Sequence, residues 1–97
     1  KKKPLVFLIH IGDAAKKRSL FLIEELKKAG IATRESLGKS SLRLQLKQAD
    51  KDNAQFALIF GQKEAFEDSI IVRDMETGAQ ETAPLDKFIA VVKKKLK

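Results

Sequence analysis

Two runs of five apolar residues constrain this chain more than anything else in it. Leu5-Val6-Phe7-Leu8-Ile9 and Phe56-Ala57-Leu58-Ile59-Phe60 are apolar at every position and rich in β-formers. Successive side chains on a strand point to opposite faces, so a strand with no polar alternation is buried on both. A sheet buried on both faces needs a covering layer on each side. With 97 residues there is room for one small domain built this way.

The segments between and after these runs supply the layers. Gly12-Asp13 reads as a turn and N-cap, and residues 14–29 follow a helical period. Ser19, Leu22, Ile23, Leu26 and Ala29 fall on one face of that helix, and Gly30 is a natural stop. Residues 31–35 read as a second strand and residues 36–41 as a loop containing Gly38. Residues 42–52 read as a second helix, with Leu42, Leu46 and Ala49 toward the core. Residues 62–68 are short and polar. Ser69 to Asp74 contains the β-branched run Ile70-Ile71-Val72, and a turn at Met75-Glu76-Thr77-Gly78 leads into residues 79–83. Two strands that close should pair as an antiparallel hairpin. Pro84 is expected to open a last helix with Leu85, Phe88, Ile89, Val92 and Leu96 as its apolar stripe. The expected fold is therefore α/β, a three-layer domain with a mixed, mostly parallel sheet of about five strands and about three helices.

Charge enters by location. The formal net charge is +7. Lys1, Lys2, Lys3, Lys93, Lys94, Lys95 and Lys97 lie at the two ends, and the rest of the chain is formally balanced. These ends read as solubilising tails or boundary linkers, or as part of a nucleic-acid contact. Cysteine is absent, which excludes disulfides and thiolate metal sites. The apolar start, residues 5–11, is far too short to span a bilayer. It follows three lysines as a signal peptide would, but a charged helix succeeds it and not a small-residue cleavage site. The missing initiator Met suits an excised fragment.

Catalytic chemistry has little to stand on. His10 is the single histidine, with no partner constellation legible in the sequence, and metal-ligand spacing is absent. The chain has neither GxxxxGK[ST] nor GxGxxG. Gly12-Asp13 does lead from a strand into a helix, where an anion could bind, but Asp13 puts a negative charge there. The sharpest feature is Lys39, Arg43, Lys47 and Lys51, one basic residue every four positions. On a helix they form a slowly turning stripe. Like charges at this spacing oppose the helix slightly, so the stripe is either a solvated face, diluted by Gln45, Gln48, Asp50 and Asp52, or a phosphate contact. The six phenylalanines (Phe7, Phe21, Phe56, Phe60, Phe66, Phe88) sit mainly in core patterns. Without Trp or Tyr a broad stacking platform is not expected.

Leu26-Lys27-Lys28-Ala29-Gly30-Ile31, Leu37-Gly38-Lys39 and the run from Leu42 through Lys47-Gln48-Ala49-Asp50-Lys51 resemble the C-terminal domain of histidyl-tRNA synthetases. So do Ala54-Gln55-Phe56-Ala57-Leu58-Ile59-Phe60-Gly61, Glu64, and the segment from Ile70 to Gln80. The likeness runs from about Leu5 to Leu96. Departures are Lys39 after Gly38, where the family often has paired glycines, and Leu46, where it commonly has Phe.

The resemblance implies a class II synthetase domain that holds the tRNA anticodon stem-loop. It places the anticodon over the start of the first helix, the end of the second strand and the second helix. The implied contacts are Asp13, Lys16, Glu35, Lys39, Lys47 and Asp50. Lys39 and Lys47 would hold phosphates, and Glu35 and Asp50 would accept hydrogen bonds from base N–H groups. No catalytic residue and no cofactor are expected in this domain. ATP and Mg²⁺ would belong to the parent enzyme's catalytic domain. The implied partners are a histidine tRNA and that catalytic domain, in the cytoplasm, with the isolated domain a monomer. Two rival readings stay open: a synthetase-like accessory or regulatory module that binds protein or nucleic acid generally, and a phosphorylated-ligand site at Gly12-Asp13.

Overall fold

The computed structural model describes residues 5–35 and 41–96. Both apolar runs are central strands. β1 (Val6–His10) pairs in parallel with β2 (Thr33–Glu35) on one side and β3 (Phe56–Phe60) on the other. β4 (Ser69–Asp74) runs antiparallel to β3, and β5 (Gln80–Pro84) antiparallel to β4. The order across the sheet is β2-β1-β3-β4-β5. Four strands thus share one direction and β4 alone is reversed, so the sheet is mixed as expected.

Each central strand divides its side chains between two cores. Val6, Leu8, Phe56, Leu58, Phe60, Ile70 and Val72 face one side. There they meet Leu22 and Leu26 of α1 (Asp13–Lys28), Ala65 of α3 (Gln62–Glu67), and Phe88 and Val92 of α4 (Phe88–Leu96). Phe7, Ile9, Ala57 and Ile59 face the other side, with Ala49 of α2 (Leu42–Lys51). The result is three layers. Among the described residues, α2 is the one helix on its face.

Several sequence expectations need correction. The helices number four among the described residues, because residues 62–67 form α3. It is too short to show a period and buries only Ala65. Its start is fixed by Glu64, whose Oε1 accepts the Gly61 N–H at 2.9 Å. The last helix begins at Phe88, not Pro84. Pro84 instead ends β5, opposite Ser69, where an edge strand tolerates the missing N–H. Asp13 lies inside α1, and Gly12 is its N-cap without a side-chain bond. Residues 31 and 32 precede β2 and do not belong to it. Leu42 is exposed and Gln45 is buried in its place. Of the six phenylalanines, Phe7, Phe56, Phe60 and Phe88 are buried, and Phe21 and Phe66 are the exceptions at 62% and 90% exposed.

Gly12 is a position only glycine can hold. Its φ is +92, and a Cβ there would lie 2.7 Å from Gln62 Cγ and Nε2. Gly12→Ala is therefore expected to cost about 1–3 kcal/mol from backbone strain alone, read as a lower midpoint in urea. A stability equal to the parent would show that the β1–α1 turn can relax.

Candidate nucleic-acid interface

Because β1, β2 and β3 run together, their carboxyl ends share one edge of the sheet, and α1 and α3 start there. His10 ends β1 with its side chain only 9% exposed, and its Nε2 lies 3.8 Å from Glu35 Oε2 at the end of β2. Beneath it, Gln45 of α2 donates from Nε2 to the His10 carbonyl at 3.1 Å. Ile11 N–H donates to the Phe60 carbonyl at 3.1 Å, continuing the parallel ladder past the strand ends. Arg18 of α1 then ties α3 to this edge. It donates to the Ala65 carbonyl and, at 2.8 Å, to Asp68 Oδ1, and its guanidinium sits 5.7 Å from the Phe60 ring centre. The edge is thus braced from both faces.

Three of the expected contact residues lie at this edge, and two lie along α2, which runs from this edge toward the amino end of the sheet. Asp13 and Lys16 lie in the first turn of α1, both exposed. Glu35 lies at the end of β2, half-buried beside His10. Lys47 and Asp50 are exposed on α2, which covers the opposite face. Lys39 lies outside the described residues. Asp13, Lys16 and Glu35 are therefore brought to one edge, whereas Lys47 and Asp50 extend onto the outer surface of α2. Together they form a band and not a pocket. Arg43, Lys47 and Lys51 are all exposed, on the side of α2 turned away from the buried Gln45 and Ala49. The basic stripe is thus presented to solvent. Gln48 and Asp52, expected on the same solvated face, bond each other at 3.0 Å. Asp52 also pairs with Arg34 of β2 at 3.6 Å.

Sequence reasoning missed one pair. Beyond α2 the same sheet face stays open over β4 and β5, where Gln80, Thr82 and Pro84 are exposed. Arg73 of β4 stands opposite Gln80 and donates to its Oε1 at 2.8 Å. A guanidinium bonded across the strands on the open half of the sheet, on the same face as half-buried Ile71, can meet a base or a phosphate. The signal was present in Ile70-Ile71-Val72-Arg73, whose alternation puts Arg73 on the α2 side, but nothing in the sequence says that this half of the face is left uncovered. Among the described residues there is no group of three or more His, Asp or Glu arranged to hold a metal ion. No helix there is long and apolar enough to cross a membrane.

The family model for the anticodon binding domain matches residues 5–95, nearly the whole chain. This chain belongs to the anticodon-binding domain family. The histidine–tRNA ligase of Dehalococcoides mccartyi is 37% identical over 93 residues, covering 96% of this chain and 22% of the relative. The apo histidyl-tRNA synthetase of Staphylococcus aureus superposes with a TM-score of 0.83 at 29% identity, covering 92% of this chain and 23% of that one. The histidyl-tRNA synthetase from Nostoc superposes with a TM-score of 0.91 over 99% of this chain and 23% of that one. At 24% identity this last likeness speaks for the fold alone. The chain thus spans under a quarter of the length of these relatives.

Proposed function

We propose that this chain is the anticodon-binding part of a histidine–tRNA ligase, and that it holds the anticodon loop of a histidine tRNA across the band at the carboxyl edge. The observation that carries this reading is the anticodon-binding family match over residues 5–95, joined to histidine–tRNA ligase relatives. The exposed stripe of Arg43, Lys47 and Lys51 supports it, because lysine and arginine neutralise backbone phosphates. Lys39 and Lys47 hold phosphates. Glu35 and Asp50 accept hydrogen bonds from base N–H groups, and Asp13 and Lys16 close the band on the α1 side. Arg73 with Gln80 extends the surface over the open half of the sheet. Activation of histidine with ATP and Mg²⁺ belongs to a catalytic part outside these residues, and the domain itself works as a cytoplasmic monomer.

Titration with a labelled histidine-tRNA anticodon stem-loop, beside a base-swapped loop, tests this. The cognate loop is expected to bind more tightly, by roughly 1–3 kcal/mol per base read, or about 5- to 150-fold. Asp50→Ala should shrink that preference. Lys47→Ala should weaken both loops alike and lower the salt dependence by about one unit of slope. Equal affinity for the two loops would reduce the domain to a general RNA-holding module.

A further inference from the structure

The amino end of the sheet, opposite the Glu35 edge, collects lysines from two helices that are far apart in sequence. Lys27 and Lys28 are the last residues of α1. The chain just beyond them is tied to the start of β1, where Val6 N–H donates to the Ala32 carbonyl at 3.0 Å. Lys93, Lys94 and Lys95 occupy the last turn of α4. That turn lies over the start of β5, because Lys95 Nζ reaches Glu81 Oε1 at 2.6 Å. β1 and β5 run in the same direction, so both helix ends lie at the same edge. Both helices also pack on the same face of the sheet. β1 and β5, whose starts these two helix ends lie near, are three strand spacings apart, about 14 Å.

Two of these lysines are already engaged, Lys28 with Glu25 at 3.8 Å and Lys95 with Glu81 at 2.6 Å. Lys27, Lys93 and Lys94 are exposed, and among the described residues no ion pair engages them. A cation in the last turn of a helix complements its dipole, and one per helix is enough for that. Lys93 and Lys94 add like charges side by side, which repel. An ammonium on a flexible stem offers charge but no flat or bidentate face, so it suits a row of phosphates and carries no base readout.

We propose that this amino edge is a second, sequence-independent RNA contact, in which Lys27, Lys93 and Lys94 neutralise backbone phosphates while the opposite edge reads the bases. The inference rests on the anticodon reading for its partner, but its test has a separate readout. The triple variant Lys27→Gln, Lys93→Gln, Lys94→Gln is compared with a control triple, Leu20→Glu, Phe66→Glu, Ala90→Glu. The control lowers the net charge by the same amount at exposed positions on α1, α3 and α4 that lie in neither lysine group. Each is titrated with the cognate and base-swapped stem-loops over a range of salt. The amino-edge triple is expected to lower the slope of log K against log salt by about 2–3, the contribution of three phosphates, with the cognate-to-swapped ratio unchanged. The control triple should leave the slope within one unit of the parent. An unchanged slope in the amino-edge triple overturns the proposal, whatever its melting temperature does, since lysines serving only the helix ends would move stability and not slope. An equal fall in both triples also overturns it, because net charge alone would then explain the effect. Equal binding of the two loops by the parent domain would defeat the anticodon reading and leave the slope comparison intact.

Discussion

Phe60→Ala is expected to remove about 3–5 kcal/mol of stability, the range for emptying a buried phenylalanine site. The ring is fully buried at the end of β3, in the core shared with Ala15 of α1 and Ala65 of α3. It also lies under the Arg18 guanidinium that ties α1 to α3. The cavity would open where three elements meet, with little freedom to collapse. A domain this size commonly has only about 5–15 kcal/mol in total, so the variant should melt more than about 12 °C lower. Phe66→Ala is the matched control. That ring is 90% exposed, and its loss should stay within about 0.5 kcal/mol. A loss at Phe60 below about 1.5 kcal/mol would mean that α1 and α3 close over the vacancy.

Gln45→Ala is expected to cost about 2–4 kcal/mol, combining an unsatisfied buried carbonyl with a small cavity. Gln45 is 1% exposed and donates to the His10 carbonyl at the strand end. Gln45→Leu separates the two terms. It keeps most of the volume and loses the hydrogen bond, so about 1–3 kcal/mol should remain. Both are read from urea denaturation. If Gln45→Leu matches the parent, the His10 carbonyl finds another partner and the residue serves packing alone. Because Gln45 holds α2 against the end of β1, either variant should also weaken the cognate stem-loop more than the swapped one.

What could be read from the residues tracks how regular the local pattern is. Leu5 to Ile9 and Phe56 to Phe60 announced central strands because burial on both faces leaves no polar position. Leu22 and Leu26 announced the core face of α1 because α1 is long enough for its period to repeat. α3 escaped notice since six residues cannot show a period, and its signal lay in one back-bond from Glu64 to Gly61. Gln45 was misplaced because a glutamine among lysines reads as solvated. Its bond to the His10 carbonyl, 35 residues away, helps to make its burial favourable. Pro84 was assigned to a helix start on a sound local preference, and the pairing of β5 with Ser69 overrode it.

The contact residues divide in the same way. The recurrence of Arg43, Lys47 and Lys51 fixes a stripe on any helix that contains it, and the buried Gln45 and Ala49 turn that stripe outward. The closeness of Glu35 to His10, the open half of the sheet around Arg73, and the shared edge of Lys27 with Lys93 and Lys94 were decided by the order β2-β1-β3-β4-β5. Sequence determines which side chains a strand or helix must hide, because that depends on spacing alone. Strand order and direction decide which hidden and exposed groups meet, because they bring together residues that the chain itself holds far apart.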